Sequence, residues 1–151
     1  MPSVPDYLLK VVQGEIEPPD ISKFIGFELT SVEYGQAVIE LELRDHHFNP
    51  FGTVHGGMIS GMADSAMGAA FLTTLEEDDI CSTLEMKISF FKPGTKGKLR
   101  AIGKVASKGQ TMGFVECDLL DHNDQLIARA TGTFMKMKSS QETYWESPKD
   151  I

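Results

Sequence analysis

Residues 55–75 read HGGMISGMADSAMGAAFLTTL, and Asp64 is the one formally charged side chain among them. A carboxylate with apolar neighbours must be paired, hydrogen-bonded or protonated. Held ionised and poorly solvated, it becomes a stronger base or nucleophile. His55-Gly56-Gly57 opens the segment. Glycines at a helix start leave backbone N–H groups approachable at the positive end of the dipole. Such groups suit an oxyanion or a polarised carbonyl oxygen. Gly57, Gly61, Asp64 and Gly68 recur at spacings of four, three and four, so they share one helical face. An amide donor and a carboxylate offered to one crevice fit attack on an acyl carbon. A structural aspartate, satisfied by backbone or hydroxyl groups, is the other reading of Asp64.

The segment is about as long as a membrane span. It also holds His55, four glycines, two serines and two threonines, so a buried core helix is the better reading. Its other sides carry Met58, Ile59, Met62, Ala66, Met67, Ala69, Ala70 and Phe71, which predicts burial nearly all round. The glycine stripe is expected where another backbone comes close, in a sheet curling around the helix or in a partner chain. Upstream, the pattern predicts a short helix over 6–13 ended by Gly14, a turn at Pro18-Pro19, and a strand over 24–32. After a turn at 33–36, residues 37–44 alternate cleanly, with Ala37, Ile39, Leu41 and Leu43 on one face. Residues 46–54 read as a loop. Glu76-Glu77-Asp78-Asp79 is expected to be a solvated turn beyond the helix, because the macrodipole disfavours anions at a C-terminus.

The remainder reads as strands over 80–91, 98–107, 112–120 and 125–136, followed by a loose polar tail from 138 to 151. In the first of these, Ile80, Leu84, Met86, Ile88 and Phe90 are expected on one face, with Thr83, Glu85, Lys87 and Ser89 on the other. Two strands, one long helix and four strands joined by short loops predict an antiparallel sheet with a helix packed on it, the α+β class.

A chain of 151 residues is one domain with a real core. Its net charge of -8 argues against a general nucleic-acid binder, which needs a cationic surface. Cys81 and Cys117 lack metal-site spacing and read as free thiols of a reducing compartment, the cytoplasm. The N-terminus has no basic region followed by an apolar core, so it does not read as a secretory signal. His46, His47 and His122 lie in loops without metal-ligand spacing, and no metal site is expected.

Asn49-Pro50-Phe51-Gly52-Thr53-Val54-His55-Gly56-Gly57, with Asp64 seven residues on, resembles the PaaI-like hotdog-fold acyl-CoA thioesterases. The resemblance covers roughly 24–136. It implies a hotdog fold, in which an antiparallel sheet wraps one long central helix. It implies chains paired edge to edge as homodimers with two sites at the interface, commonly joined into homotetramers. Asp64 matches the catalytic carboxylate, as nucleophile or as general base on water. Gly56 matches the residue whose N–H polarises the thioester carbonyl. His55 and Asn49 match residues that shape the site and orient water or the thioester. Thr83, in Ser82-Thr83-Leu84-Glu85-Met86, matches a hydroxyl residue contributed by the other subunit. Read as residues, His55 fixes the loop rather than moving protons, and Asn49 serves equally well as an ordinary turn residue.

The substrate implied is an acyl- or aryl-CoA, with coenzyme A part of the substrate and no separate cofactor. Gly57, Phe51, Met58 and Met62 are expected to line its pocket together with the partner chain. From 87 to 115 the chain carries seven of its 14 Lys and Arg residues and no acid. Lys92 and Lys108, in turns, are expected to meet the phosphates of coenzyme A. The plainer reading of these lysines is a guarded sheet edge. A hotdog hydratase or dehydratase is disfavoured: His47-Phe48-Asn49-Pro50 echoes such enzymes, but no glutamate lies between Glu42 and Glu76. A non-catalytic acyl-CoA-binding protein would not need the carboxylate.

Overall fold

A computed structural model describes residues 3–139, so most of the tail expected over 138–151 lies outside the described residues. Helix α1, Asp6–Gln13, ends on Gly14 at φ 76° as expected. A second helix, α2, spans Asp20–Ile25 where a strand was expected from residue 24. Pro19 holds φ at -56°, Asp20 sits in the first turn, and Gly26 closes the helix at φ 101°. These are helix start and stop signals, and they outweigh the apolar residues between them. Strands β1, Phe27–Glu33, and β2, Gln36–Glu42, form a hairpin through Gly35. A 3₁₀ turn at Asp45–His47 leads through a loop into α3, Gly56–Leu72. Strands β3 (Asp79–Phe90), β4 (Lys98–Lys108), β5 (Met112–Leu120) and β6 (Leu126–Lys138) complete the chain.

The six strands make one antiparallel sheet in the order β1-β2-β4-β5-β6-β3, with α3 packed against it. Met62, Ala66, Met67, Ala70 and Phe71 of α3 join Leu99, Ala101, Val115, Cys117 and Phe134 of the sheet in one core. Helix and sheet come closest at Gly103, where an added Cβ would lie 2.3 Å from the carbonyl oxygen of Ala66. Within the chain, the close backbone approach is thus made by a strand glycine and not by the helix stripe. Gly61 and Gly68 instead face the rings of Phe27 and Phe134 at ordinary contact distances, 3.4 and 3.5 Å from a built Cβ. The stripe also marks an open side: Gly57 is exposed, and Gly61, Asp64, Ser65 and Gly68 are half-buried. Burial all round is therefore corrected to burial on every side but this one. The sheet wraps the helix from β1 to β3 and stops.

Strand β3 is an edge strand, paired with β6 alone. Its register shifts between Thr83 and Glu85, a bulge at Leu84. Before the bulge Thr83 lies opposite buried Phe134; after it Met86 lies opposite buried Gly132. The extra residue changes the parity of the strand. Ile80 and Leu84 therefore do not share the core-facing side with Met86 and Ile88, and both are exposed. Strand β4 is an interior strand, which rules out edge-guarding for Lys98, Arg100 and Lys104. Lys98 and Arg100 instead pair with Glu40 and Asp124.

The acidic run is not a solvated turn throughout. Glu77 accepts hydrogen bonds from the N–H groups of Asp6 and Tyr7, capping α1. Asp79 is buried. Its Oδ2 accepts from the Glu76 N–H, and Lys138 Nζ lies 2.5 Å from Oδ1, an ionic contact without hydrogen-bond alignment. Lys138, expected in the tail, thus closes β6.

Two measurements follow from this packing. Gly103→Ala drives a methyl group into the helix backbone, so its unfolding free energy, read from urea denaturation, should fall by more than the about 1–3 kcal/mol typical of overpacking; an unchanged urea midpoint would show that the helix can move away. Burial pushes the Asp79 carboxyl up, but Lys138 and the Glu76 N–H outweigh it and hold it below the ordinary aspartate value. Asp79 therefore stabilises the fold above the unfolded value of about 4 and loses that contribution as pH falls through the folded one. Between pH 5 and 3 the stability of Asp79→Asn should drop less than that of the wild type, read from urea midpoints; an equal drop would remove Asp79 from the acid response.

Candidate active site

The loop before α3 is built by local hydrogen bonds. Buried His47 accepts from the Arg44 N–H through Nδ1 (2.9 Å) and donates from Nε2 to the Ile25 carbonyl (2.7 Å). Its own carbonyl accepts from the His55 N–H, 2.8 Å away. Asn49 Nδ2 donates to Thr53 Oγ1, and Asn49 Oδ1 accepts from the N–H groups of Phe51 and Thr53. Every polar atom of the Asn49 side chain is thereby used inside its own loop. His55 is the N-cap of α3, and its Nδ1 accepts from the Gly57 N–H at 2.8 Å. That bond requires an unprotonated Nδ1, so a neutral His55 carries its proton on Nε2. Met58 and Ile59 donate to the His55 carbonyl. The Gly56 N–H has no hydrogen-bond partner among the described residues. The pair of open amides expected at Gly56-Gly57 is thus one open amide.

Gly56 sits under the ring of Phe90, which lies 3.3 Å from a built Cβ. Both line a cleft of about 350 Å³ with Thr53, Ile59, Phe91 and Lys92. Lys92 Nζ donates to Gln125 Oε1 at 3.3 Å at its rim. Further along α3, Asp64 Oδ1 accepts from Thr83 Oγ1 at 2.8 Å. The two residues belong to one chain. The bulge at Leu84 turns Thr83 toward the helix. Cys81, on the same side of β3, lies 3.9 Å from the Gly68 carbonyl oxygen. Burial, with the negative charge of Asp64 added, pushes its thiol up to about 12.

Not every expected site residue gathers here. Met62 is fully buried in the core, and Phe51 is 89% exposed at a loop tip. Met62 stands two residues from Asp64 and so points to another side of the helix. Met58 is partly buried against the core. Lys108 Nζ donates to the Thr74 carbonyl at 2.6 Å, just past the C-terminus of α3 and at the opposite end from Gly56. Phe90 covers Gly56, a role that strand alternation alone does not mark. Its signal was the Phe90-Phe91 pair just before a Pro-Gly turn.

Gly56 and Asp64 also do not converge within one chain. They stand eight residues apart on a rigid helix, about 12 Å along its axis. An attacking atom, a carbonyl and an N–H donor in reacting contact span about 8 Å at most. The single crevice expected for both groups is therefore not formed by one chain.

The family model of the thioesterase superfamily matches residues 51–128, more than half of the chain. The chain belongs to the thioesterase superfamily. It is a thioester hydrolase by that membership, and the matched segment carries Gly56, Asp64 and Thr83. A Saccharolobus solfataricus protein that bears an esterase name is 34% identical over 132 residues, 87% of this chain and 94% of its own. Human acyl-coenzyme A thioesterase 13 is 26% identical over 136 residues, 88% of this chain and 96% of its own. The Escherichia coli PaaI protein superposes with a TM-score of 0.80 at 20% identity, covering 91% of this chain and 98% of its own, and so shares the hotdog fold. Among the described residues of this thioesterase no helix is long and apolar enough to cross a membrane.

The cap at His55 generates a direct test. His55→Ala removes the acceptor for the Gly57 N–H and should cost about 0.5–2 kcal/mol of stability. His55→Asn keeps a capping oxygen and should recover most of it. Thermal melts of the two variants decide this, and equal melting would show that the Nδ1 bond contributes nothing.

Proposed function

We propose that this chain hydrolyses an acyl- or aryl-CoA thioester to the free acid and coenzyme A at sites shared between two copies of the chain. The observation that carries the reading is the placement of Asp64. It stands on the open stripe of α3 with Oδ1 held by Thr83, and Oδ2 has no hydrogen-bond partner among the described residues. A carboxylate held on one oxygen presents the other to a reacting group. It either attacks the thioester carbon itself or takes a proton from the water that does. The carbonyl oxygen gains negative charge in both cases, and an unpaired N–H at a helix N-terminus stabilises it. The C–S bond then breaks and the thiolate of coenzyme A leaves, to be protonated by the proton that Asp64 took from water; where Asp64 itself attacked, water then cleaves the aspartyl anhydride to the free acid.

The 12 Å between the two groups is bridged by pairing. Gly56 of one protomer meets the partner subunit's Asp64 across edge-paired β3 strands. The unpaired edge of β3, with Ile80 and Leu84 exposed, supports this. Lys92, beside the Gly56 cleft, is placed to meet a phosphate of coenzyme A. Lys108 reaches it only from another chain. The name of the human relative supports a coenzyme A ester as substrate. Free, unpaired thiols at Cys81 and Cys117 fit a cytoplasmic protein.

The test is thiol release from a panel of acyl- and aryl-CoAs. Asp64→Asn should lower kcat by about 100-fold or more with little change in folding. Gly56→Pro removes the N–H at a helix position that tolerates proline, and its loss should be of similar size. Unfolding the two variants together and refolding them should restore about one quarter of wild-type activity, because half of the random dimers carry one intact site. No recovery on mixing would place both groups in one chain's site. Saturable binding by the wild type without thiol release would remove the hydrolase reading.

A further inference from the structure

Two spaces meet at one aromatic ring. Phe27, the first residue of β1, is 4% exposed. The far edge of its ring faces Gly61, with Cζ 3.4 Å from a built Cβ. Gly61 stands one turn before Asp64 on the same open stripe. Phe27 also lines a cleft of about 640 Å³ between α1, the segment that follows it and β1. Val11, Val12, Ile16 and Leu29 give that cleft an apolar side, and Glu17, Lys23, Glu28 and Thr30 also line it. Its volume is that of a small-molecule pocket, about 300–1,000 Å³. The chemistry at Asp64 does not use it. Phe27 thus touches the stripe and lines the cleft at once, on an edge strand whose register shifts between Leu29 and Ser31.

We propose that Phe27 is the specificity-determining partition of the acyl site: an acyl chain held at Asp64 ends against this ring, and the α1–β1 cleft behind it receives longer chains once the ring is shortened. The inference rests on the thioesterase reading above. Three features make the ring a partition. It touches the helix at a glycine, so no side chain stands between it and the stripe. It is buried, so nothing passes it in the wild type. The cleft on its other side already holds Val11, Val12, Ile16 and Leu29 for a chain to pack on. Each further methylene that enters such a space improves binding about fourfold.

Initial rates are measured on straight-chain CoA esters from butyryl to myristoyl, with wild type, Asp64→Asn, Phe27→Leu and Phe27→Met. Methionine conserves volume and bends aside, so this variant keeps the test alive if leucine costs too much stability. The wild type should favour the short esters. In both Phe27 variants the ratio of kcat/KM for lauroyl-CoA over butyryl-CoA should rise about tenfold or more. Refilling the cleft from α1, with Val12→Trp added to Phe27→Leu, should return the ratio to the wild-type value. A uniform fall across all chain lengths overturns the partition, as does a shift that survives the tryptophan. A wild type that prefers lauroyl-CoA overturns it too. In each of these cases Asp64-dependent thiol release by the wild type leaves the thioesterase reading standing. Absence of that release on every ester sinks the thioesterase reading and the partition together.

Discussion

Helix α3 has apolar residues on nearly every side, so it is stable only where something covers it. The sheet does most of this covering, and it can do so because β4 carries glycine at the point of crossing. With Gly103 against the Ala66 carbonyl, helix and strand backbones touch, and the flanking Leu99, Ala101 and Val105 pack beside the helix. Bulky side chains fill the layers further out, where Phe71 and Phe134 lie tilted with ring centroids 6.2 Å apart. A sheet of six strands wraps only part of a cylinder. The part left uncovered is the stripe of Gly61, Asp64 and Gly68. The one charge of the helix thus sits at the gap, where a carboxylate avoids the full cost of burial.

The gap is bounded by β3, and β3 is shaped by its bulge. One extra residue at Leu84 lets a single strand serve two purposes. Its later half sends Met86 and Ile88 to the core. Its earlier half sends Thr83 to Asp64 and Cys81 toward Gly68. The same strand leaves a row of unpaired backbone groups at the sheet edge, together with the exposed side chains of Ile80 and Leu84. An edge of that kind is a template for another strand. The distance between Gly56 and Asp64 on one helix would give the proposed pairing a chemical purpose as well as a packing one. A helix cannot bend its first turn back to its third, so two copies are the simplest way to bring an amide and a carboxylate to one carbonyl.

The acidic run shows a related economy of position. Glu77 and Asp79 are close in sequence and do unlike work. Glu77 caps α1 and ties the N-terminal helix to the end of α3. Asp79 starts β3, buried against the Glu76 N–H and Lys138. With its start held there and the helix packed on β1, α1 forms an anchored wall of the α1–β1 cleft.

Much of this was legible in the chain itself. Strict alternation over Ala37, Ile39 and Leu41 marks a strand with one buried face, because a pleat alternates whatever surrounds it. Gly14 and Gly35 mark chain reversals through the left-handed conformation that glycine alone adopts freely. A lone carboxylate in an apolar helix, and glycines at the helix start, point to Asp64 and Gly56 as the groups that could do chemistry. Other features were decided by contacts between distant segments. The bulge at Leu84 is set by what β6 presents across the ladder, and it resets the alternation that a local pattern extends unbroken. Helical spacing places Met62 on a helix but cannot say which side the sheet will cover, so Met62 became core rather than pocket. Lys108 meets Thr74 only because β4 runs past the end of α3. His55 and Gly57 are neighbours in sequence, yet the ring caps the amide only because His47 holds the loop in place. Short-range periodicity and turn chemistry are properties of a few adjacent residues. Parity across a bulge, the covered side of a helix and the partner of a long side chain are properties of the assembled sheet.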